Sequence, residues 1–201
     1  MKKLSLTFVS VVALFLFSCK KDSADNNQST GELKGTWNLE NLDFNAMTST
    51  ELADSEASVK GVFLTDYISE NNKGTISFDD THITSKDLSY DLTGNLNMKY
   101  YLDGALMSNV DSTLNISMPA SSATTEYVRV GADSLYCPNG AFIHMETGDD
   151  LFSTPNGIKF KFDGNKLILT ITQKETSTVT EDGTTQEDKI DAKLIVTLQK
   201  Q

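Results

Sequence analysis

Three short runs near the carboxyl end constrain this chain more than any other part of it. Ile158, Phe160 and Phe162 alternate with Lys159, Lys161 and Asp163. Leu167, Leu169 and Ile171 then alternate with Ile168, Thr170 and Thr172, and Leu194, Val196 and Leu198 recur two residues apart further on. A period of two sends every second side chain to the same face, the pattern of half-buried β-strands. Gly164-Asn165 and Asp182-Gly183 separate the runs, and both dipeptides suit two-residue hairpin turns. A turn at 164–165 predicts Phe162 opposite Leu167, Phe160 opposite Leu169 and Ile158 opposite Ile171, with Asp163 facing Lys166. A turn at 182–183 predicts Ile171 opposite Leu194, Leu169 opposite Val196 and Leu167 opposite Leu198, with Lys174 facing Asp191. A slip of one residue would set Phe against Lys, so the register is well specified. Residues 173–192 are mostly polar on both faces, and this hairpin tip is expected to project into solvent.

A third hairpin follows from parity. Leu96, Met98 and Tyr100 are even-numbered, as are Leu106, Val110, Leu114, Ile116 and Met118 on the return. Even facing even requires an odd loop. A three-residue loop, Leu102-Asp103-Gly104, sets Tyr100 against Leu106 and Leu96 against Val110. A two-residue turn at Asp103-Gly104 would oppose Met98 with Asn109. Further strands are expected at 35–44, 74–78, 82–86, 125–130, 134–137 and 141–146. Residues 47–72 read differently. Thr48-x-x-Glu51 fits a capping box, and Val59, Val62, Phe63 and Tyr67 roughly follow helical spacing. One or two short helices, interrupted near Gly61, are expected there. Many short antiparallel strands with one helical insertion favour a barrel or a sandwich.

At the other end, Lys2 and Lys3 precede a run at residues 4–17 broken only by Ser5, Thr7 and Ser10. The run falls short of the ~18–20 apolar residues that span a bilayer, and it reads as the core of a signal peptide. It ends Leu16-Phe17-Ser18-Cys19, which resembles the lipobox of bacterial lipoproteins. The resemblance implies a signal peptide at 1–18 and a mature chain starting at Cys19, whose thiol carries a diacylglyceryl group and whose freed amine is acylated as well. Each buried methylene of such chains contributes ~0.8 kcal/mol, enough for an anchor without a spanning helix. Lys20, where a retention aspartate would stand, implies the outer membrane of a Gram-negative cell. Lys21-Asp22 loosely resembles a surface-export signal, and the leaflet stays open. Residues 20–31 hold no apolar side chain larger than Ala24, so 19–31 form a lipidated cysteine and a flexible tether.

Loss of Lys2 and Lys3 takes the net charge from −11 to −13, and Arg129 is the only arginine. Such a chain does not suit nucleic acid, which needs clustered cations. With Cys19 acylated, Cys137 is the only thiol and no intrachain disulfide forms.

The stretch Leu33-Lys34-Gly35-Thr36-Trp37 follows the tether directly. Gly35-Thr36-Trp37 resembles the G-x-W signature on the first strand of lipocalins and of the lipocalin-like domains of bacterial lipoproteins, and the hairpin at 162–172 is similar to their carboxyl half. This implies that residues 32–201 form one all-β domain, an antiparallel up-and-down lipocalin-like β-barrel with a short helical insertion after the first strand. Trp37 would then close its narrow end. The chain departs from the family in two places. Thr65-Asp66-Tyr67 comes too soon after Trp37 to be the second lipocalin motif, and no arginine follows Arg129 to stack on the tryptophan.

An eight-stranded barrel is just wide enough to be filled by side chains or to hold one small ligand. Trp37, Met98, Tyr100, Phe160 and Phe162 are the candidate ligand-lining residues. The alternative is that they fill a solid core. His82 beside Asp79-Asp80 and the Asp149-Asp150 pair match no established metal spacing. No G-x-S-x-G elbow and no phosphate-binding glycine loop appear. No cofactor and no catalytic residue is assigned. The leading expectation is a membrane-anchored, non-enzymatic module for a small apolar or amphipathic ligand. A solid-cored lipoprotein docking an envelope protein is the second, and an envelope hydrolase the third.

Overall fold

The computed structural model describes residues 32–140, 142–143 and 152–201. The signal segment, Cys19 and the tether through Gly31 lie outside these residues. Among the described residues the chain forms nine antiparallel strands and no helix. In chain order they are β1 (Gly35–Ala53), β2 (Ser58–Phe78), β3 (His82–Leu102), β4 (Ala105–Glu126), β5 (Val128–Arg129), β6 (Ser134–Cys137), β7 (Asn156–Asp163), β8 (Lys166–Glu181) and β9 (Thr184–Lys200). They make one sheet in the order β4-β3-β2-β1-β9-β8-β7-β6-β5.

That order has a geometric consequence. β4 and β5 lie at opposite edges of the sheet, yet Tyr127 alone separates them in the chain. Nine flat strands would hold the edges about 38 Å apart, whereas residues two apart lie within about 7 Å. The sheet therefore rolls until its edges meet at Tyr127. No ladder joins β4 to β5, so hydrogen bonds do not close the roll. Tyr127 is pinned where the edges meet. Its amide donates to the Thr81 carbonyl at 2.7 Å, its hydroxyl donates to the Asp79 carbonyl at 2.6 Å, and its ring meets Phe78 edge-on.

The two carboxyl-terminal hairpins have the register expected from parity, with Phe160 opposite Leu169 and Leu169 opposite Val196. The Asp163–Lys166 and Lys174–Asp191 pairs also face each other, the latter as an ion pair at 2.6 Å. Leu167, Leu169, Ile171, Leu194, Val196 and Leu198 are 0% exposed and form the floor of the core. Burying side chains of this size contributes about 1.5–3 kcal/mol each. The connection from β6 to β7 folds into the roll. Its Phe142, Ile143 and Phe152 are buried. Ser85 donates to the Phe142 carbonyl, Asn156 to the Phe152 carbonyl, and the Phe152 ring stands edge-on to Phe44. These three residues plug the interior.

Three expectations are corrected. The helical insertion at 47–72 is absent, because those residues complete β1 and open β2. Glu51 caps no helix. It accepts from Ser58 and Lys60 across a strand turn, with the Lys60 contact at 3.0 Å. Val59, Val62 and Phe63 mimicked helical spacing because they lie on both faces of a strand. The third hairpin turns in two residues, not three, with Asp103 and Gly104 both at positive φ. A bulge between the Tyr101–Leu106 and Tyr100–Ser108 pairs then restores even-to-even parity, so Met98 meets Val110 and Leu96 meets Ser112. Finally, Phe142 and Ile143 are not in a strand. The rest of the 141–146 expectation lies outside the described residues.

Strand lengths are unequal. β1–β4, β8 and β9 run 16–22 residues, but β5, β6 and β7 run 2, 4 and 8. The roll is thus a plugged cup with a tall six-stranded wall on one side. One close approach tests the packing at the base of that wall. A Cβ on Gly94 would sit 1.8 Å from the Asp66 carbonyl oxygen, whereas one on Gly157 would meet nothing nearer than the Leu135 oxygen at 3.9 Å. Gly94→Ala is expected to destabilise by about 3 kcal/mol or more, and Gly157→Ala by less than about 1 kcal/mol. Urea unfolding measures both.

Candidate binding face

From the Phe44 row to the tip, the wall has a single register break, the β4 bulge between the Tyr101–Leu106 and Tyr100–Ser108 pairs, so side-chain facing can be followed strand by strand. Ile171, Leu194, Phe44 and Tyr67 form one cross-strand row facing inward, and all four are buried. Four residues further along β8, the row reads Glu175, Ile190, Thr48, Phe63, Met98, Val110. The next is Ser177, Asp188, Thr50, Gly61, Tyr100, Ser108. The last is Val179, Gln186, Leu52, Val59, Leu102, Ala105. All three share the inward face of the core, because side chains alternate strictly along a strand.

This face is apolar on β2, β3 and β4. Val59, Tyr100, Leu102 and Val110 are 41–49% exposed, with Phe63 and Met98 half-buried between them. Phe63 and Tyr100 meet edge-to-face at 6.2 Å, with Gly61 leaving room beneath both rings. On β8 and β9 the same face carries two carboxylates, Glu175 and Asp188. Asp188 accepts from the Thr50 hydroxyl at 2.6 Å and from Gln186 at 2.7 Å, and these bonds hold its carboxyl below the usual range. Glu175 accepts from the Gln173 amide at 2.8 Å. Gln173 is 9% exposed, and its own side-chain oxygen has no partner.

The outward face of the wall holds its lysines. Lys60, Lys99, Lys174, Lys189 and Lys193 all fall on the opposite parity. Three of them are ion-paired, with Glu51, Asp191 and Glu187.

The five residues predicted to line a ligand separate into two groups. Trp37, Phe160 and Phe162 sit at the floor. Trp37 is 2% exposed, donates its indole N–H to the Leu33 carbonyl at 3.1 Å and tilts against Phe162 at 6.1 Å. Lys200 lies 5.5 Å over the Trp37 ring and Arg129 lies 5.4 Å over Phe160. Met98 and Tyr100 belong to rows that cross β1 at Thr48 and Thr50, roughly 35 Å along the strand from Trp37. Cys19 lies outside the described residues, as do His144 and Asp149-Asp150. His82 opens β3 beside the Asp79–Thr81 turn, half-buried, its Nδ1 2.8 Å from the Thr81 hydroxyl. Among the described residues no three His, Cys, Asp or Glu side chains converge on a metal position. Sequence reasoning missed Phe63 and Val59, which it placed on a helix, and Glu175 and Asp188, which it placed in a polar tip. Extending parity from the Asp182-Gly183 turn would have put the two carboxylates on the core face.

The class this geometry defines is an all-β, rolled antiparallel sheet bearing an exposed amphipathic face. No family model matches the chain, and no curated protein matches it. A solved structure that does match is that of Ail, the attachment invasion locus protein of Yersinia pestis, at 8% identity and a TM-score of 0.17, covering 82% of this chain and 99% of that one. At that score the likeness carries nothing over to this chain.

Cys137 is 0% exposed, and burial pushes its thiol up to about 11 from 9.0; burial likewise pushes Tyr90 up to about 12 from 10.0. The folded chain holds both protons where the unfolded chain has released them. Stability is therefore undiminished below pH 9.0 and falls as pH rises, the Cys137 share being lost by about pH 11. Ellman's reagent at pH 8 is expected to label Cys137 only after unfolding, and urea midpoints are expected to decline between pH 9 and 11.

Proposed function

We propose that this chain is a lipid-anchored lipoprotein of the Gram-negative outer membrane, lipocalin-like in design, that binds an amphipathic ligand on the inner face of its wall. Three features support the anchored, lipocalin-like part of the reading. The lipobox ends at Cys19, Trp37 opens the first strand, and Lys200 supplies a late cation over the tryptophan where the family pattern would place an arginine. The exposed apolar rows around Phe63, Met98 and Tyr100 carry the binding part. Contiguous apolar surface held open to solvent marks an interaction site. The floor aromatics Trp37 and Phe160 are buried and are read as packing residues.

A second reading, docking of an envelope protein, has its own support. Among the described residues β4 pairs only with β3, leaving a backbone edge along its 22 residues, interrupted by Pro119 and the bulge beside Leu106. Free edges of this kind accept an added strand.

Intact mass of membrane-extracted protein tests the anchor. The expected species begins at Cys19 and carries diacylglyceryl and acyl groups; an unmodified amino terminus elsewhere removes the lipoprotein reading. For the face, the neutral fluorescent probe N-phenyl-1-naphthylamine is expected to bind wild type. Met98→Glu is expected to weaken that binding at least tenfold with little change in melting temperature. Phe160→Ala is expected to do the reverse, costing about 3–5 kcal/mol of stability and sparing the probe.

A further inference from the structure

We propose that the occupant of the wall is an extended peptide segment that is amphipathic and cationic, its apolar side chains lying on Phe63, Met98 and Tyr100 and its positive groups at Glu175 and Asp188. The proposal rests on the binding-face reading above and adds the chemistry of the partner.

Charge sorting carries it. Every lysine of the wall points outward, and the ladder puts no cation among the three inward rows. The outward lysines are largely neutralised by ion pairs, whereas Glu175 and Asp188 are held only by neutral donors, Gln173, Thr50 and Gln186. Gln173 adds an unpaired side-chain oxygen on the same face of β8, two residues from Glu175. The inner face thus offers acceptors and negative charge and lacks a matching cation. An anionic amphipath would meet two carboxylates there. A second copy of this chain, stacked inner face on inner face, would bring four carboxylates together.

Dimensions favour a peptide. Asp188 on β9 and Phe63 on β2 are separated by two strand spacings, and Glu175 on β8 and Phe63 by three, roughly 10–15 Å. An extended chain of about four or five residues covers that span. A single-layer wall cannot enclose a small ligand on the 70–90% of its surface that tight pockets bury. A peptide brings a second layer of its own and leaves its polar side in water. Residues 20–31 hold no apolar side chain larger than Ala24 and do not supply this layer.

The test uses the chain from residue 19 onward with two synthetic peptides of equal length, one alternating Leu with Lys and the other Leu with Glu. The Lys peptide is expected to bind at least tenfold more tightly, with affinity falling as salt rises. Glu175→Gln with Asp188→Asn is expected to weaken the Lys peptide at least tenfold and leave the neutral probe unchanged. The proposal is overturned if both peptides bind alike or if the double substitution leaves the Lys peptide unaffected. Displacement of the Lys peptide by concentration-dependent self-association overturns it too. Failure of every probe, or binding indifferent to Met98→Glu, sinks the binding-face reading itself. Probe binding through Met98 without charge preference sinks only the cationic inference.

Discussion

One covalent fact governs this fold: a single residue, Tyr127, joins the two strands that lie farthest apart in the sheet. Backbone hydrogen bonding alone would permit a flat nine-stranded sheet, and the apolar parity of the strands would only give it one oily side. The one-residue link forbids flatness. It draws the oily side inward, turning a face into an interior, and it does so without a closing ladder. The Tyr127 hydroxyl and amide, both tied to the turn between β2 and β3, hold the join where β4 leaves β3.

Unequal strand lengths then decide what that interior becomes. Near the floor the core is apolar, with six aliphatic side chains of β8 and β9 fully buried. Higher up, β5, β6 and β7 have ended, while Phe142, Ile143 and Phe152, from between β6 and β7, are buried in the roll. The strands that continue upward keep the same parity with no strand opposite them among the described residues, and this is how apolar residues come to be exposed on the wall.

The sequence made the floor legible because every rule there agreed. Turn dipeptides, parity and opposite-charge pairs at Asp163–Lys166 and Lys174–Asp191 all specified one register, and the ladder has it. The hairpin of β3 and β4 was half legible. Parity was right, but a bulge at residue 107 supplied the odd residue that had been assigned to the loop, and bulges leave no local signature in a strand of mixed polarity. Residues 47–72 misled for a related reason. Strands that run past a core lose the contrast between faces, so Val59, Val62 and Phe63 stopped alternating and imitated a helix. The roll itself was invisible, since nothing local announces that β4 and β5 part to opposite edges. Among the site residues, Met98 and Tyr100 were found by parity, while Phe63, Glu175 and Asp188 were hidden by those same misreadings.

The direction of the wall gives the charge sorting its meaning. β1 enters at the floor, at Gly35, and climbs to Ala53 at the tip, a rise of about 60 Å for its 19 residues. Residue 32 therefore lies at the floor end, and the wall extends away from it. Under the lipid-anchored reading the amphipathic face stands off the bilayer, beyond the ~8–10 Å over which surface charge is felt at physiological salt. Its carboxylates then act on what arrives from solution rather than on the membrane beneath. A lysine-lined inner face would have been equally soluble. The lysines stand outside, three of them in ion pairs, and the two carboxylates stand inside with neutral donors only, an arrangement the parity of the strands permits but does not require.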